Sequence, residues 1–270
     1  MGRQKTLGIS LAIAAVLAVS VSVVGQSPSG GYKAPRLGGH PNLNGVWQAL
    51  NTANWDLQTH SARTGPLSVL GADGAVPPGL GVVEGEEIPY KPATLTKKKA
   101  NGEHWLTEDP EVKCYMPGVP RATYQPYPFQ IIQGTDTVLF AYEFAAASRI
   151  VSMVNHQQPP VDSWMGWSNG HWEGDTLVVD VTGFNDQSWF DHAGDFHSDK
   201  LHVVERYTPA SPDVLNYEAM IEDPDVYTRP WKINMPLYRH VEKNAQLLEY
   251  KCVEFAEELL YGQYRKQASR

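Results

Sequence analysis

The sequence predicts a mainly β protein: an antiparallel barrel or sandwich with an irregular N-terminal segment and a short C-terminal helix. Two observations predict this class. From Phe129 onward, short segments of alternating apolar and polar residues follow one another at close spacing and are joined by turn-rich loops. No long helical period separates these segments, which disfavours a parallel α/β fold.

The clearest strand lies within residues 172–186, WEGDTLVVDVTGFND. Successive strand residues point to opposite faces, so Leu177, Val179 and Val181 share one face that suits a core. The polar residues that follow are typical of the end of a sheet. This segment therefore predicts a strand that delivers polar groups to one sheet end.

The other predicted strands follow from the same alternation. Residues 45–48 form a short apolar first strand. The remaining strands are predicted at residues 129–133, 137–144, 149–154, 163–168, 175–182, 200–208, 214–222, 231–237 and 246–253. A single β-rich domain is expected over residues 45–270, with an irregular covering segment at 45–125 and the antiparallel sheet at 126–254. Within the covering segment, residues 54–63 suit a helical turn or two, and residues 93–104 suit a short helix whose three lysines form a solvated face. A terminal helix is predicted at residues 255–267.

The N-terminus has the layout of a secretory signal. Arg3 and Lys5 precede an apolar run that ends in small residues near Gly25. Residues 1–25 are therefore expected to be a signal peptide, followed by a linker at 26–44 that is rich in Ser, Pro and Gly. The expected location is periplasmic or secreted. An uncleaved N-terminal anchor is the alternative, and it is the one membrane contact that we expect.

The charge of the chain restricts its partners. The sequence has 22 basic and 30 acidic residues, so removal of Arg3 and Lys5 leaves a net charge of −10. Such a charge disfavours nucleic acid and anionic lipid as partners. A phosphate-binding loop, a dinucleotide motif and a G-x-S-x-G serine setting are absent from the sequence. We therefore expect a small apolar molecule as partner and no cofactor.

The sequence contains two cysteines, Cys114 and Cys252. An exported protein keeps its thiols in an oxidising compartment, which favours a disulfide between them. Two separately buried free cysteines are the alternative.

Alternation within residues 200–208 places Glu205 on the same face as Leu201, Val203 and Tyr207. Burial raises the pKa of an unpaired carboxyl towards the range that suits proton transfer, so Glu205 is a candidate catalytic acid or base. The alternative is a structural ion pair with Arg149 or Arg121, because buried charges are generally paired.

A loop rich in Asp and His suggests a second site. Its members are Asp186, Asp191, His192, Asp195, His197, Asp199 and His202. His197 with Asp186 or Asp191 could form a general-base pair. The same donors could coordinate a metal, but their spacing matches no metal motif, and solvated turns are the simpler interpretation, so no metal is predicted.

Residues that could hold a ligand complete the candidate site. Arg121 and Tyr124 lie in a Pro-rich loop and could orient or polarise a ligand. Tryptophans could supply an apolar wall, and the inner sheet face carries further aromatic groups. The expected ligand contacts are Arg121, Tyr124, Trp164, Trp189, Arg206 and Tyr217.

The chain resembles a large, uncharacterised family of exported bacterial proteins. The segments that carry the resemblance are LNGVWQ (43–48), DPEVKC (109–114), PGVPR (117–121), PYPF (126–129), WMG (164–166), residues 172–186, HSD (197–199) and ERY (205–207). The resemblance spans nearly the whole mature chain but implies no established activity. His171 departs from the Arg that this family more often carries before Trp172. Gly45-x-Trp47 also resembles the first strand of lipocalin-like barrels.

These observations together predict a cofactor-independent exported enzyme. It would act on a small apolar molecule by acid/base chemistry of a lyase, isomerase or hydrolase type, with Glu205, His197, Asp186 and Asp191 as candidate catalytic residues. A periplasmic lipocalin-like carrier without catalysis is the main alternative. A structural or envelope-associated module with a filled core is the third.

Overall fold

Nine strands close into a barrel, which confirms the predicted mainly β class. The computed structural model describes residues 32–65, 71–72, 75–156, 158–256 and 259. The predicted signal peptide and nearly all of the predicted terminal helix lie outside the described residues.

A two-stranded ribbon precedes the barrel, formed by β1 (Arg36–Leu37) and β2 (His40–Pro41). The barrel strands are β3 (Gly45–Ala49), β4 (Phe129–Gln133), β5 (Thr137–Tyr142), β6 (Ser148–Ser152), β7 (Trp167–Glu173), β8 (Thr176–Thr182), β9 (His202–Ser211), β10 (Val214–Glu222) and β11 (Trp231–Arg239). The order around the barrel is β10-β11-β3-β4-β5-β6-β7-β8-β9. The pairings along this order are antiparallel except that of β6 with β7, which are joined by the long connection 153–166.

Two strand predictions were wrong: one strand begins later than predicted, and the other does not form. The strand predicted at residues 163–168 is β7, which begins at Trp167, because the turn at Gly174 pairs Glu173 with Thr176 and fixes the register of the hairpin. Residues 246–253 form no strand. The barrel already closes between β11 and β3, so this segment has no free edge to join.

The covering segment is irregular, as predicted, but it contains three short helices. α1 (Leu95–Glu103) lies within the predicted helix, α2 is Trp105–Glu108, and α3 is Arg121–Tyr124. Residues 54–63 form turns and bridges instead of a helix. A 3-10 helix at Phe144–Ala146 follows β5. All four residues of α3 are buried, and they form a short helix where the sequence predicted a Pro-rich loop.

Strand parity correctly predicted the inward residues of β8 and β9. Buried hydrophobic residues of the barrel strands include Phe129, Phe140, Tyr142, Val179, Val203, Tyr207, Tyr217, Ile233 and Leu237. Arg239 closes the β11–β3 junction because its guanidinium lies 4.1 Å from the Trp47 ring and donates to the Asn44 carbonyl over 2.7 Å. The barrel core is therefore packed with aromatic and aliphatic side chains.

One end of the barrel is covered by α3 of the irregular segment and by the loop between β8 and β9. We call it the covered end, where β3 and β10 finish and β4, β9 and β11 begin. α3 packs here: Thr123 Oγ1 lies 3.5 Å from the Tyr207 hydroxyl, and the Tyr124 hydroxyl donates to the Phe190 carbonyl over 2.8 Å. The covered end thereby brings the irregular segment together with the Asp/His loop.

The predicted disulfide Cys114–Cys252 is present, with the two Cα atoms 5.7 Å apart. It fastens residues 241–256, which we call the C-terminal arm, to the covering segment. Among the described residues, no helix combines the length and apolarity that crossing a bilayer requires.

Candidate functional site

Glu205 lies inside the barrel in a closed hydrogen-bonded set. Its Oε2 is 2.5 Å from Arg149 Nη1, and its Oε1 accepts hydrogen bonds from the hydroxyls of Tyr207 and Tyr217, each over 2.8 Å. Glu205 is completely buried. Of the two arginines expected as partners, the structure selects Arg149.

Electrostatics keep the arginine charged and the two tyrosines neutral. Burial opposes the charge of Arg149, but Glu205 holds the pKa of the guanidinium well above its ordinary value. Burial, with the Glu205 charge, raises the pKa of Tyr207 and Tyr217 well above the usual range, so both hydroxyls stay protonated and donate. Because Arg149 and Glu205 are buried and bound to fixed partners, the interior set serves the fold.

His197 pairs with Ser188 instead of Asp186 or Asp191. His197 Nδ1 lies 2.8 Å from the Ser198 carbonyl, which only accepts, so Nδ1 carries the proton and Nε2 accepts from the Ser188 hydroxyl at 2.8 Å. Burial lowers the pKa of His197, which favours the neutral ring. Asp186 is exposed and accepts from Gln187. The Ser188–His197 pair is buried and satisfied.

The remaining members of the Asp/His loop separate into different settings. Asp191 accepts from the backbone N–H groups of Leu57 and Asp195 over 2.9 and 3.0 Å. His202 lies on the outer wall with Nε2 2.9 Å from Asp180, and Asp199 pairs with Lys200 at the surface. The loop therefore does not form one metal site, although it contributes to two carboxylate clusters at the covered end.

The first cluster surrounds Arg121, which is 1% exposed. Its guanidinium donates to both oxygens of Asp109, over 2.8 and 3.0 Å, and to Glu111 Oε2 over 2.6 Å. Arg121 Nε donates to Asn54 Oδ1 over 2.8 Å. Burial opposes ionisation of Asp109, but Arg121 and then His192 hold the pKa of that carboxyl below its ordinary value. A buried guanidinium is thus matched by two carboxylates.

His192 completes this cluster and lies between two indole rings. Its Nδ1 is 2.9 Å from Asp109 Oδ2 and its Nε2 is 3.1 Å from Glu111 Oε2. The imidazole centroid is 4.9 Å from the Trp55 ring and 4.3 Å from the Trp105 ring. Asp109 orients the imidazole, because an ionised carboxylate accepts the Nδ1 proton.

An aromatic cleft of about 270 Å³ opens above Glu111 and His192. Their side chains are 11% and 8% exposed, and both line this opening. The cleft is lined by Trp105, Glu111, Val112, Tyr127, Phe144, His192, Tyr250, Lys251, Cys252, Val253 and Ala256. One wall is therefore the C-terminal arm that the disulfide holds. We call this the arm cleft.

Three residues of this site escaped prediction: Asp109, Glu111 and Asn54. They lie in the irregular segment, where no alternation assigns an inward face. Two sequence signals bear on Asp109 and Glu111: both belong to the DPEVKC segment of the family resemblance, and both lie close to Cys114, whose disulfide fixes the position of its neighbours.

The six predicted ligand residues are dispersed. Arg121 belongs to the cluster below the arm cleft, whereas Tyr124 is buried under Phe190 and Tyr217 lies in the barrel. Trp164 packs on Tyr115 with ring centroids 5.1 Å apart, and Trp189 is 9% exposed. Arg206 pairs with Glu173 over 2.8 Å on the outer wall. The structure does not bring these six residues together.

Among the described residues, two groups of side chains have donor atoms close enough for a metal: Asp109 with Glu111 and His192, and Asp56 with Asp191 and Asp195. In the first group, Arg121 already supplies the positive charge between the carboxylates. A metal there would have to displace a guanidinium that makes hydrogen bonds to both. The first group therefore fits a proton-transfer site better than a metal site.

Comparisons with known protein families, characterised proteins and solved structures found no match to this chain.

Proposed function

We propose that this protein is an exported acid/base enzyme that acts on a small, largely apolar molecule in the arm cleft. The observation that carries the proposal is an imidazole, oriented by a buried carboxylate, at the floor of an aromatic cleft. Carboxylate-oriented histidines next to a concave apolar site are a common arrangement for proton transfer.

His192 and Glu111 are the proton-transfer groups of the proposal. A proton between His192 Nε2 and Glu111 Oε2, 3.1 Å apart, can reside on either group, so the pair can donate a proton to a ligand or accept one. Asp109 Oδ2 lies 2.9 Å from the other ring nitrogen and orients the imidazole, and Arg121 donates to Glu111 Oε2 over 2.6 Å and holds that carboxyl in place.

The cleft walls determine the proposed substrate class. Trp105, Tyr127, Phe144 and Tyr250 offer aromatic faces, which favour flat apolar molecules. The volume of about 270 Å³ is near the lower limit of ligand sites, so the substrate contains one or two rings. The reaction belongs to the predicted lyase, isomerase or hydrolase types, in which a proton moves and no redox group is needed.

Export is supported by the disulfide, since such bonds persist in oxidising compartments. The signal-like N-terminus and the resemblance to exported bacterial proteins point to the same location. Membership of that family is part of the proposal.

Hydrolysis of 4-nitrophenyl acetate by the purified mature protein tests the chemistry. The base would take a proton from the water that attacks the ester carbonyl, and 4-nitrophenolate would leave. General-base catalysis contributes about 10²–10⁴-fold, so His192→Gln should lose at least about 10² of the rate above buffer. His104→Gln is the matched control, because that ring is exposed on α2's N-terminal side. Equal rates for wild type and His192→Gln would contradict the acid/base proposal.

Binding without chemistry is the second candidate. It is favoured by the fact that both ring nitrogens of His192 already face carboxylates. Quenching of tryptophan fluorescence by 4-nitrophenol, compared between wild type and Trp105→Leu, tests it. Saturable quenching that Trp105→Leu weakens, without turnover of the ester, would indicate a carrier. Neither quenching nor turnover would favour the structural module and overturn both candidates.

A further inference from the structure

The second carboxylate cluster at the covered end lies apart from the arm cleft and has no role in the proposed chemistry. Asp56, Asp191 and Asp195 each place a carboxylate oxygen within 4.8 Å of the other two. Asp191 and Asp195 are fully buried, and the Asp56 side chain is 13% exposed. We call this the Asp cluster.

Nearby positive charge does not balance the Asp cluster. Among the described residues, Lys98 of α1 is its one close cation, with Nζ 3.1 Å from Asp195 Oδ1. Arg63 reaches Asp56 only at 4.0 Å and is 51% exposed. The lysine run on α1 is therefore more than the solvated face that its sequence indicated. Three buried or nearly buried carboxyl groups share one ammonium, and a bound cation would supply the positive charge that lets all three ionise.

A second, independent observation concerns Asp195 itself. Its Oδ1 accepts from the Tyr90 hydroxyl over 2.7 Å and faces Lys98, while its Oδ2 is buried and has no hydrogen-bond partner among the described residues. A buried carboxylate oxygen without a donor is rare in folded proteins, and a bound ion is one arrangement that satisfies it.

We propose that the Asp cluster binds a calcium ion, with Asp195 Oδ2 as a central ligand and Asp56 and Asp191 as the other protein ligands. All candidate ligands are carboxylate oxygens, which suit a hard cation, and the cluster offers no nitrogen or sulfur that would favour a transition metal. Calcium tolerates irregular coordination, whereas magnesium demands near-octahedral geometry. The ion would join the turn at Asp56 to the loop that carries Asp191 and Asp195.

The experiment is thermal unfolding of the full mature protein, dialysed against EDTA and then titrated with Ca²⁺ or Mg²⁺ at constant ionic strength. Extracellular calcium sites have dissociation constants of about 10⁻⁴–10⁻³ M, so about 10 mM Ca²⁺ should raise Tm by roughly 3–10 °C. Mg²⁺ should raise it by less. Isothermal calorimetry at the same Ca²⁺ concentrations should give a stoichiometry of about one.

Asp56→Asn and Asp195→Asn should each lose the calcium-dependent Tm shift. Asp56→Asn is the safer variant, because its Oδ1 accepts one backbone hydrogen bond, from Gln58, that an Asn oxygen can still accept. Asp199→Asn, an exposed residue of the same loop, should keep the full shift. A wild-type Tm that does not respond to Ca²⁺, or a shift that Asp56→Asn retains, would overturn the proposal. A proton shared by two of the carboxylates would then account for the cluster.

Discussion

The barrel interior and the covered end both contain a buried arginine bound to carboxylates, but the two settings differ in access. Arg149 and Glu205 are enclosed by tyrosine hydroxyls and aromatic rings inside the barrel. Arg121 holds Asp109 and Glu111 beside a cleft, where His192 is partly exposed. Similar ion-pair chemistry therefore supports the fold in one region and is available to a ligand in the other.

This difference in access shows that inward orientation alone does not identify a reactive carboxylate. Glu205 points inward, as parity predicted, yet each of its oxygens is bound to a fixed donor. Glu111 comes from an irregular segment and is 11% exposed at the cleft floor. Access through a cleft, together with an orienting partner, separates the proposed proton-transfer pair from the structural pair.

The largest expected effect comes from breaking the interior pair. Glu205→Gln or Arg149→Met leaves an uncompensated buried charge or donor, which costs about 3–5 kcal/mol of unfolding free energy. Urea unfolding followed by tryptophan fluorescence measures this loss. Ligand binding in the arm cleft should be unchanged under conditions where the variant is folded.

Two controls sharpen this test. Arg206→Gln removes an ion pair on the outer wall and should have little effect, because solvent screens exposed pairs. The double variant Arg149→Met with Glu205→Leu should regain part of the lost stability, since no charge remains unpaired. A loss below about 1 kcal/mol for Glu205→Gln would show that the interior pair does not support the fold as inferred.

The next effect concerns the C-terminal arm, which contrasts with the barrel in how weakly it is held. Leu248 and Val253 are 67% and 59% exposed, and Tyr250 packs on Tyr127 and Phe144. Changing Cys114 and Cys252 together to serine should release the arm and weaken 4-nitrophenol binding by about tenfold, or 1.4 kcal/mol.

The barrel should stay folded in the same double variant, because the arm contributes no strand to the closed sheet. Its unfolding midpoint should fall, because the disulfide closes a loop across a separation of 138 residues in the unfolded chain. Fluorescence titration and thermal melting of one sample give both values. Unchanged binding, or a barrel that unfolds together with the arm, would contradict this separation.

Sequence patterns predicted the barrel better than the covered end for a physical reason. In β9 and β10, alternation assigned Glu205 and Tyr217 to the interior, because each strand residue has only two possible faces. Segment 246–253 had a similar pattern but no available edge, which depends on closure elsewhere in the barrel. Alternation is local, whereas pairing depends on the whole sheet.

The candidate site was only partly predictable. Arg121 and His192 were recognised as candidates, but their common partner Asp109 was not, because contacts between irregular segments follow no period. The same holds for Asp56 and Lys98, which meet Asp195 from distant parts of the chain. Loop residues can be identified as chemically capable from sequence, while their partners require the folded structure.

The smallest predicted effect compares two histidines of the same loop region. The hydrogen bond that His202 donates to Asp180 raises the pKa of His202, whereas burial lowers the pKa of His197. A raised folded-state pKa means that the stability from His202 is fully present below its ordinary pKa of about 6.5 and is lost as pH rises through the raised value. His197 acts oppositely, since stability falls as pH decreases from about 6.5 towards its lowered pKa.

His202→Gln should therefore remove the loss of stability on the alkaline side and leave the acidic loss from His197 intact. The pair with Asp180 is partly exposed, so the difference between about pH 6 and pH 8 should be below about 1 kcal/mol. Urea unfolding of wild type, His202→Gln and the exposed-site control His104→Gln at both pH values measures it. If His202→Gln kept the wild-type pH dependence, the outer-wall pair would not be the source of the alkaline loss. The control His104→Gln should keep the wild-type pH dependence.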